Sequence, residues 1–221
     1  MAESPHPSPP HVPALDGVRG VAVLLVVVYH AAYLASPTGV AEVVFATVRD
    51  ALWCGVDLFF VLSGFLITRI LLATVGSPRY FRSFYLRRTV RIFPLYYGVL
   101  LLLFVGLPAA AWLAGGPLQS VVDGETYQSL WSRQAWLWAY VQNFLQSSGP
   151  SQLPGLGHFW SLAIEEQFYL AWPAAVWLVG RGEGGWRRVA WLCGAIVIAA
   201  PALRWALLTN GAEPWAVFHL T

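Results

Sequence analysis

Charge is what this chain has least of. Asp, Glu, Lys and Arg together make up 11% of its 221 residues, against about 25% in an ordinary soluble domain. Hydrophobic residues reach 57%, too many for a water-facing surface to cover, which excludes a soluble globular domain. Cysteine is scarce as well. Cys54 and Cys193 each stand near the start of an apolar run, without metal-ligand spacing, so neither a metal site nor a disulfide is expected. No small-residue cleavage site follows the first apolar run, so that run is expected to be a retained anchor and not a signal peptide. Internal repeats are also missing. The net charge of +2 does not point to nucleic acid, because the arginines gather between apolar runs, where topology determinants sit.

What remains is apolar length. Five segments approach or exceed the roughly 20 residues that cross a bilayer: about 18–36, 53–74, 93–113, 158–179 and 189–208. The expected fold class is therefore an all-α polytopic transmembrane helical bundle of about five spans. Residues 1–14, opening MAESPHPSPPHVP, read as a disordered Pro-rich tail in which His6 and His11 are solvated. Residues 15–221 form the membrane domain. The basic loop 75–91 and the loop Arg181–Arg188 fall on one side, which by the positive-inside rule is cytoplasmic and puts the N-terminus there too. Pro37–Asp50 reads as a polar-to-mixed connection, and Pro94 as a first-turn proline of the third span. Residues 114–157 are the longest non-spanning stretch, and 210–221 a short tail. Ala135–Leu145 (AWLWAYVQNFL) is too short to cross alone. It is expected to be interfacial or re-entrant, with a sixth span as the alternative if it joins upstream residues. Twelve tryptophans suit interfacial belts and packing between helices.

Chemistry-bearing residues stand inside these runs. In LDGVRGVAVLLVVVYH, Arg19 and His30 are eleven residues apart, about three helical turns, so both lie on nearly one face some ~16 Å apart along the axis. An imidazole near the centre of a membrane needs a partner or a wet cavity, so His30 is a functional candidate beside the alternative of a histidine bonded between helices. Asp57 lies near one end of the second span and shares a face with Gly64. Ser63 and Gly64 are small enough to admit a neighbouring helix or a ligand close to the backbone. Arg87, Arg88 and Arg91 would present three guanidinium groups over one helical turn, as a topology signal or as a site for phosphates. Ser161, Glu165 and Tyr169 recur every four residues on one face of the fourth span, with Glu166 pointing elsewhere. Adjacent carboxylates at a membrane-helix entrance suit a functional or ion-pairing role.

Four stretches in one order, RGVAVLLVVVYH (19–30), GVDLFFVLSGFLIT (55–68), YLRRTVRIFPLYY (85–97) and HFWSLAIEEQFYLAWP (158–173), resemble the membrane-bound acyltransferase-3 family of bacterial O-acyltransferases. The family's arginine, ten intervening residues and histidine correspond to Arg19 and His30. Its glutamate in W-S-L-x-x-E-x-x-F corresponds to Glu165, with Glu166 the variable neighbour, and its basic motif to Arg87, Arg88 and Arg91. The resemblance covers the first half of the family's domain. It implies a multi-pass enzyme of the bacterial inner membrane that moves an acyl group, often acetyl, from cytoplasmic acyl-CoA (acetyl-CoA) to a hydroxyl of a carbohydrate or glycosylated acceptor. No bound cofactor and no metal are implied; membrane lipids are the other partners. His30 would be the general base, and Glu165 would orient or charge-compensate it. Arg19, Asp57, Ser63, Gly64, Arg87, Arg88, Arg91 and Ser161 would line the substrates. An acyl-enzyme on Ser63 lacks a surrounding nucleophile elbow. The rival classes are a proton-coupled transporter or channel subunit, which would use the same intramembrane His, Asp and Glu as a relay, and an inactive remnant lacking the second half.

Overall fold

The computed structural model describes residues 12–31, 39–149 and 152–220. The expected tail with His6 and His11, and the far end of the first span, lie outside the described residues. The chain divides into two compact units, Met1–Ser77 and Pro78–Thr221. Every regular element among the described residues is helical, so the fold is all-α, as the apolar runs predict. Four helical runs are long and apolar enough to cross a membrane: Pro13–Ala31, Val40–Thr74, Tyr80–Ala114 and Gly185–Thr209. This is a multi-pass membrane protein. The helix expected as the remaining span, Phe159–Val179, has the length at 21 residues but carries Glu165, Glu166 and Gln167, and it is not among the four.

The first unit contains α1 (Pro13–Ala31), α2 (Val40–Ala51) and α3 (Cys54–Thr74). Proline at the first position of α1 and Asp16 in its first turn suit a helix start, where the missing N–H is no loss and the dipole favours an anion. Helix α2 corrects the expected connection over 37–50. Glu42 accepts the Gly39 backbone N–H at 3.4 Å, one half of a capping box. Helices α1 and α3 pack against one another in antiparallel order: Arg19 lies over Phe59 and Tyr29 meets Trp53. Between those contacts is Gly55. A Cβ there would lie 2.8 Å from both the Ala22 carbonyl oxygen and the Leu25 Cβ. Glycine is what brings these two helices together.

The second unit opens on α4 (Tyr80–Leu101), which continues through a π-helical stretch (Leu102–Gly106) into α5 (Leu107–Ala114). The basic segment expected as a loop over 75–91 is thus mostly helix, and Pro94 lies well inside α4 and not in a first turn. The long aliphatic stems of arginine let a helix stay regular while its charges reach the surface. Neighbouring helices and local adjustment accommodate the proline. Short helices follow: α6 (Gly116–Asp123), α7 (Glu125–Trp138) and α8 (Gln142–Gln146). The stretch 135–145 is therefore not one continuous helix but is shared between the end of α7 and α8. It breaks at Tyr140, a non-glycine residue at φ 54°, a conformation that costs energy and needs support from its surroundings. The support is aromatic: Tyr140 stacks on Tyr96 with ring centroids 4.0 Å apart. Tyr96, Leu100 and Phe104, four residues apart on one face of the α4 run, meet Leu130, Leu137, Tyr140, Leu153 and Phe159 in the core.

Helices α9 (Phe159–Val179), α10 (Gly185–Thr209) and α11 (Pro214–Leu220) complete the unit. The last corrects the expected terminal tail: α11 is helical and packs on α8, with the Trp215 indole N–H donating to the Gln146 carbonyl. Helices α4 and α9 are tied by two tyrosines. The Tyr80 hydroxyl donates to the Pro173 carbonyl at 3.0 Å and the Tyr85 hydroxyl to the Leu170 carbonyl at 2.9 Å. Pro173 interrupts the ladder of α9, where it has no N–H to give the Tyr169 carbonyl one turn earlier.

Candidate active site

The expected site residues divide between the two units. In the first unit His30 is exposed in the last turn of α1, and its Nδ1 stands 2.8 Å from the Val26 carbonyl oxygen. A carbonyl only accepts, so Nδ1 carries the proton and Nε2 is the basic nitrogen of the neutral ring. Tyr29 sits edge-on to the imidazole at 5.0 Å. Arg19, on the same helix, places its guanidinium 5.6 Å from the centre of the Phe59 ring, a cation–π arrangement. Asp57 is exposed in the first turn of α3, where an anion suits the helix dipole.

Ser63 and Gly64 differ from one another. A Cβ on Gly64 would meet nothing within 4 Å, so the close helix approach expected there occurs at Gly55. Ser63 is buried, and its Oγ has no hydrogen-bond partner. An unpaired buried hydroxyl is destabilising. Ser63→Ala is therefore expected to raise stability by about 1 kcal/mol, read as a higher thermal midpoint of the purified protein in detergent.

In the second unit Arg87 and Arg91 are exposed on α4, whereas Arg88 is half-buried. One residue of helix is a turn of 100°, which directs Arg88 away from the other two. Its guanidinium carbon lies 4.0 Å from the centre of the Tyr169 ring on α9 and 6.0 Å from that of Phe84. The Tyr169 hydroxyl in turn donates to Glu165 Oε1. The expected stacking of Glu165 and Tyr169 on one helix face is thus a hydrogen bond. Ser161, one turn earlier, donates instead to the His158 carbonyl of its own helix at 3.0 Å. The structure brings Arg88, Glu165 and Tyr169 together and leaves Ser161, Arg87 and Arg91 outside that group.

A polar layer that the sequence did not reveal surrounds α8. Gln142, Asn143 and Gln146 are buried. The side-chain amides of Gln142 and Gln146 donate to the Phe159 and Gly157 carbonyls, each at 2.8 Å. Asn143 Oδ1 accepts from Gln167 at 2.9 Å. Burial first, then the Glu166 carboxylate, pushes the Tyr140 phenol above the usual tyrosine range, so it keeps its proton at any working pH. The signal for this layer is three amides within five residues of an otherwise aromatic-aliphatic stretch. Among the described residues no cluster of His, Cys, Asp and Glu has metal-holding geometry.

With these arrangements in view, comparison with known proteins is decisive: an acyltransferase domain profile matches residues 12–220. The chain belongs to the acyltransferase-3 family. Among curated relatives, a Bacillus subtilis protein described as a candidate peptidoglycan O-acetyltransferase, YrhL, is 34% identical over 218 residues, covering 96% of this chain and 31% of its own length. The peptidoglycan O-acetyltransferase OatA of Listeria monocytogenes is 35% identical over 172 residues, 74% of this chain and 24% of its own. The acyltransferase-3 chain described here thus spans about a third or less of the length of these relatives. No solved structure matches it.

Proposed function

We propose that this chain serves an integral-membrane O-acyltransferase of the bacterial inner membrane, which moves an acetyl group from acetyl-CoA on the cytoplasmic face to a hydroxyl of a carbohydrate acceptor. The names of the relatives make the glycan of peptidoglycan the first acceptor to try. The observation that carries the reading is the family match across residues 12–220. The residue chemistry supports it. His30 Nε2 takes the proton of the acceptor hydroxyl, and the oxygen attacks the thioester carbonyl. The tetrahedral adduct collapses with loss of the C–S bond. The new ester leaves, and the imidazolium returns its proton to the departing thiolate. The Nδ1 contact to Val26 holds the ring in the tautomer this step needs. Arg19, about three helical turns from His30 on α1, binds the donor away from the reacting carbonyl, and Glu165 is the carboxylate that the second unit contributes to the function. Arg87 and Arg91, exposed on one face of α4, meet the phosphates of the donor, for which guanidinium forks are suited.

The test is transfer of label from labelled acetyl-CoA to a panel of saccharides, muropeptides included, by membranes that contain the chain. Label on a saccharide is expected from these membranes and not from membranes without the chain. Proton-coupled uptake of a solute with no group transfer would instead favour the transporter class. A narrower expectation concerns the arginines: Arg87→Gln with Arg91→Gln should raise the KM for acetyl-CoA roughly tenfold or more while changing kcat little, the pattern of lost ground-state binding.

A further inference from the structure

Tyr169 carries two contacts at once, and they come from different helices. Its ring face receives the Arg88 guanidinium of α4 at 4.0 Å, and its hydroxyl donates to the Glu165 carboxylate one turn earlier on α9. Tyr169 is also buried, at 2% exposure, so its rotamer is set by packing and water does not compete for its hydroxyl. The packing is specific: Tyr80 and Tyr85 of α4 bond to the α9 carbonyls of Pro173 and Leu170, which fixes α4 against the turn of α9 that bears Tyr169. A cation over a phenol ring withdraws electron density from it and makes its O–H a stronger donor. The two contacts therefore reinforce each other. Arg88 sharpens the hydrogen bond that holds Glu165, and the ring keeps the Arg88 guanidinium turned inward, away from the face that carries Arg87 and Arg91.

The geometry points to Tyr169 as a positioning residue that fixes the Glu165 carboxylate through its hydroxyl and the Arg88 guanidinium through its ring. This rests on the acyltransferase reading, in which Glu165 serves the site. It divides the work of one side chain into two separable parts. Phenylalanine keeps the ring and loses the hydroxyl; leucine loses both.

The first measurement needs no substrate. With tyrosine labelled at the 13Cζ position, the Tyr169 resonance of the chain in detergent micelles is identified by its loss in Tyr169→Phe. Its position is then compared in Glu165→Gln and Arg88→Gln. Displacement in both variants is expected; an unchanged position in either overturns the proposal. The second is the transfer assay. Tyr169→Phe should lower kcat about tenfold and leave the KM for acetyl-CoA within twofold, because the Arg88 seat survives. Tyr169→Leu should lower kcat as far and also change that KM several-fold, because the Arg88 guanidinium loses its inward seat and can swing toward the face that carries Arg87 and Arg91. Equal effects of the two variants on both constants, tracking only the amount of folded protein in the membrane, would reduce Tyr169 to a packing residue and overturn the proposal. Absence of transfer by the unmutated chain would instead strike the acyltransferase reading, and the resonance comparison would still decide whether Tyr169 holds both groups.

Discussion

Alanine in place of His30 is expected to cut acyl transfer by roughly two to four orders of magnitude, the usual contribution of a positioned general base. The loss should fall on kcat, because a general base acts in the chemical step and not in ground-state binding. His30→Gln is the sharper control. A glutamine can still donate to the Val26 carbonyl but offers no basic nitrogen, so it should be as inactive as alanine. Both variants should stay folded, since His30 is exposed at the end of α1 and surface substitutions usually change stability by less than about 0.5 kcal/mol. The check is label transfer normalised to folded protein in the membrane. Near-normal transfer by His30→Gln would remove His30 from the chemistry.

The largest effect on stability is expected at Gly55. The first carbon of any side chain there already stands 2.8 Å from a backbone oxygen of α1 and from the Leu25 Cβ. No rotamer escapes that contact, so α1 and α3 must separate. Overpacking in a close-packed site costs about 1–3 kcal/mol, and Gly55→Leu should reach at least the upper end, a fall in thermal midpoint of roughly 6–12 °C for a chain of this size. Gly64→Leu is the matched comparison on the same helix. Open space lies where its Cβ would be, and the midpoint should hardly move. If both variants melted together with the unmutated chain, the Gly55 contact would not be what joins these helices.

Both expectations draw on residues of very different visibility in the sequence. The helical class follows from apolar runs, and the Arg19–His30 spacing was legible because one helix holds both residues. The choice between Gly55 and Gly64 was not, since each is a glycine on α3 and only the neighbouring helix distinguishes them. Arginine charge suggested a loop before the third span, but a charged segment with good helix formers continues a helix when its stems lie along the surface. The same charge count made Arg87, Arg88 and Arg91 equivalent, whereas a 100° step turns Arg88 inward to Tyr169. Period four placed Tyr169 above Glu165, yet the cation on its other side comes from 81 residues away, beyond the reach of any local pattern. The break at Tyr140 was hidden for a related reason: its backbone strain is held by stacking on Tyr96, and nothing in AWLWAYVQNFL signals a turn.

The run Tyr80–Ala114 is 35 residues long, which at helical rise is roughly 52 Å. A hydrocarbon layer about 30 Å thick takes up only some 20 residues of that, a need met by the uncharged stretch from Ile92 to Ala114. The remaining dozen residues, with Arg82, Arg87, Arg88 and Arg91, stand above it as a mast about 18 Å tall. Mast and keel are one helix, so a lean of 10° in the lipid-embedded part swings the mast's tip sideways by about 3 Å, a distance comparable to a hydrogen bond. The thickness of the surrounding bilayer is therefore a mechanical input to where these four arginines stand.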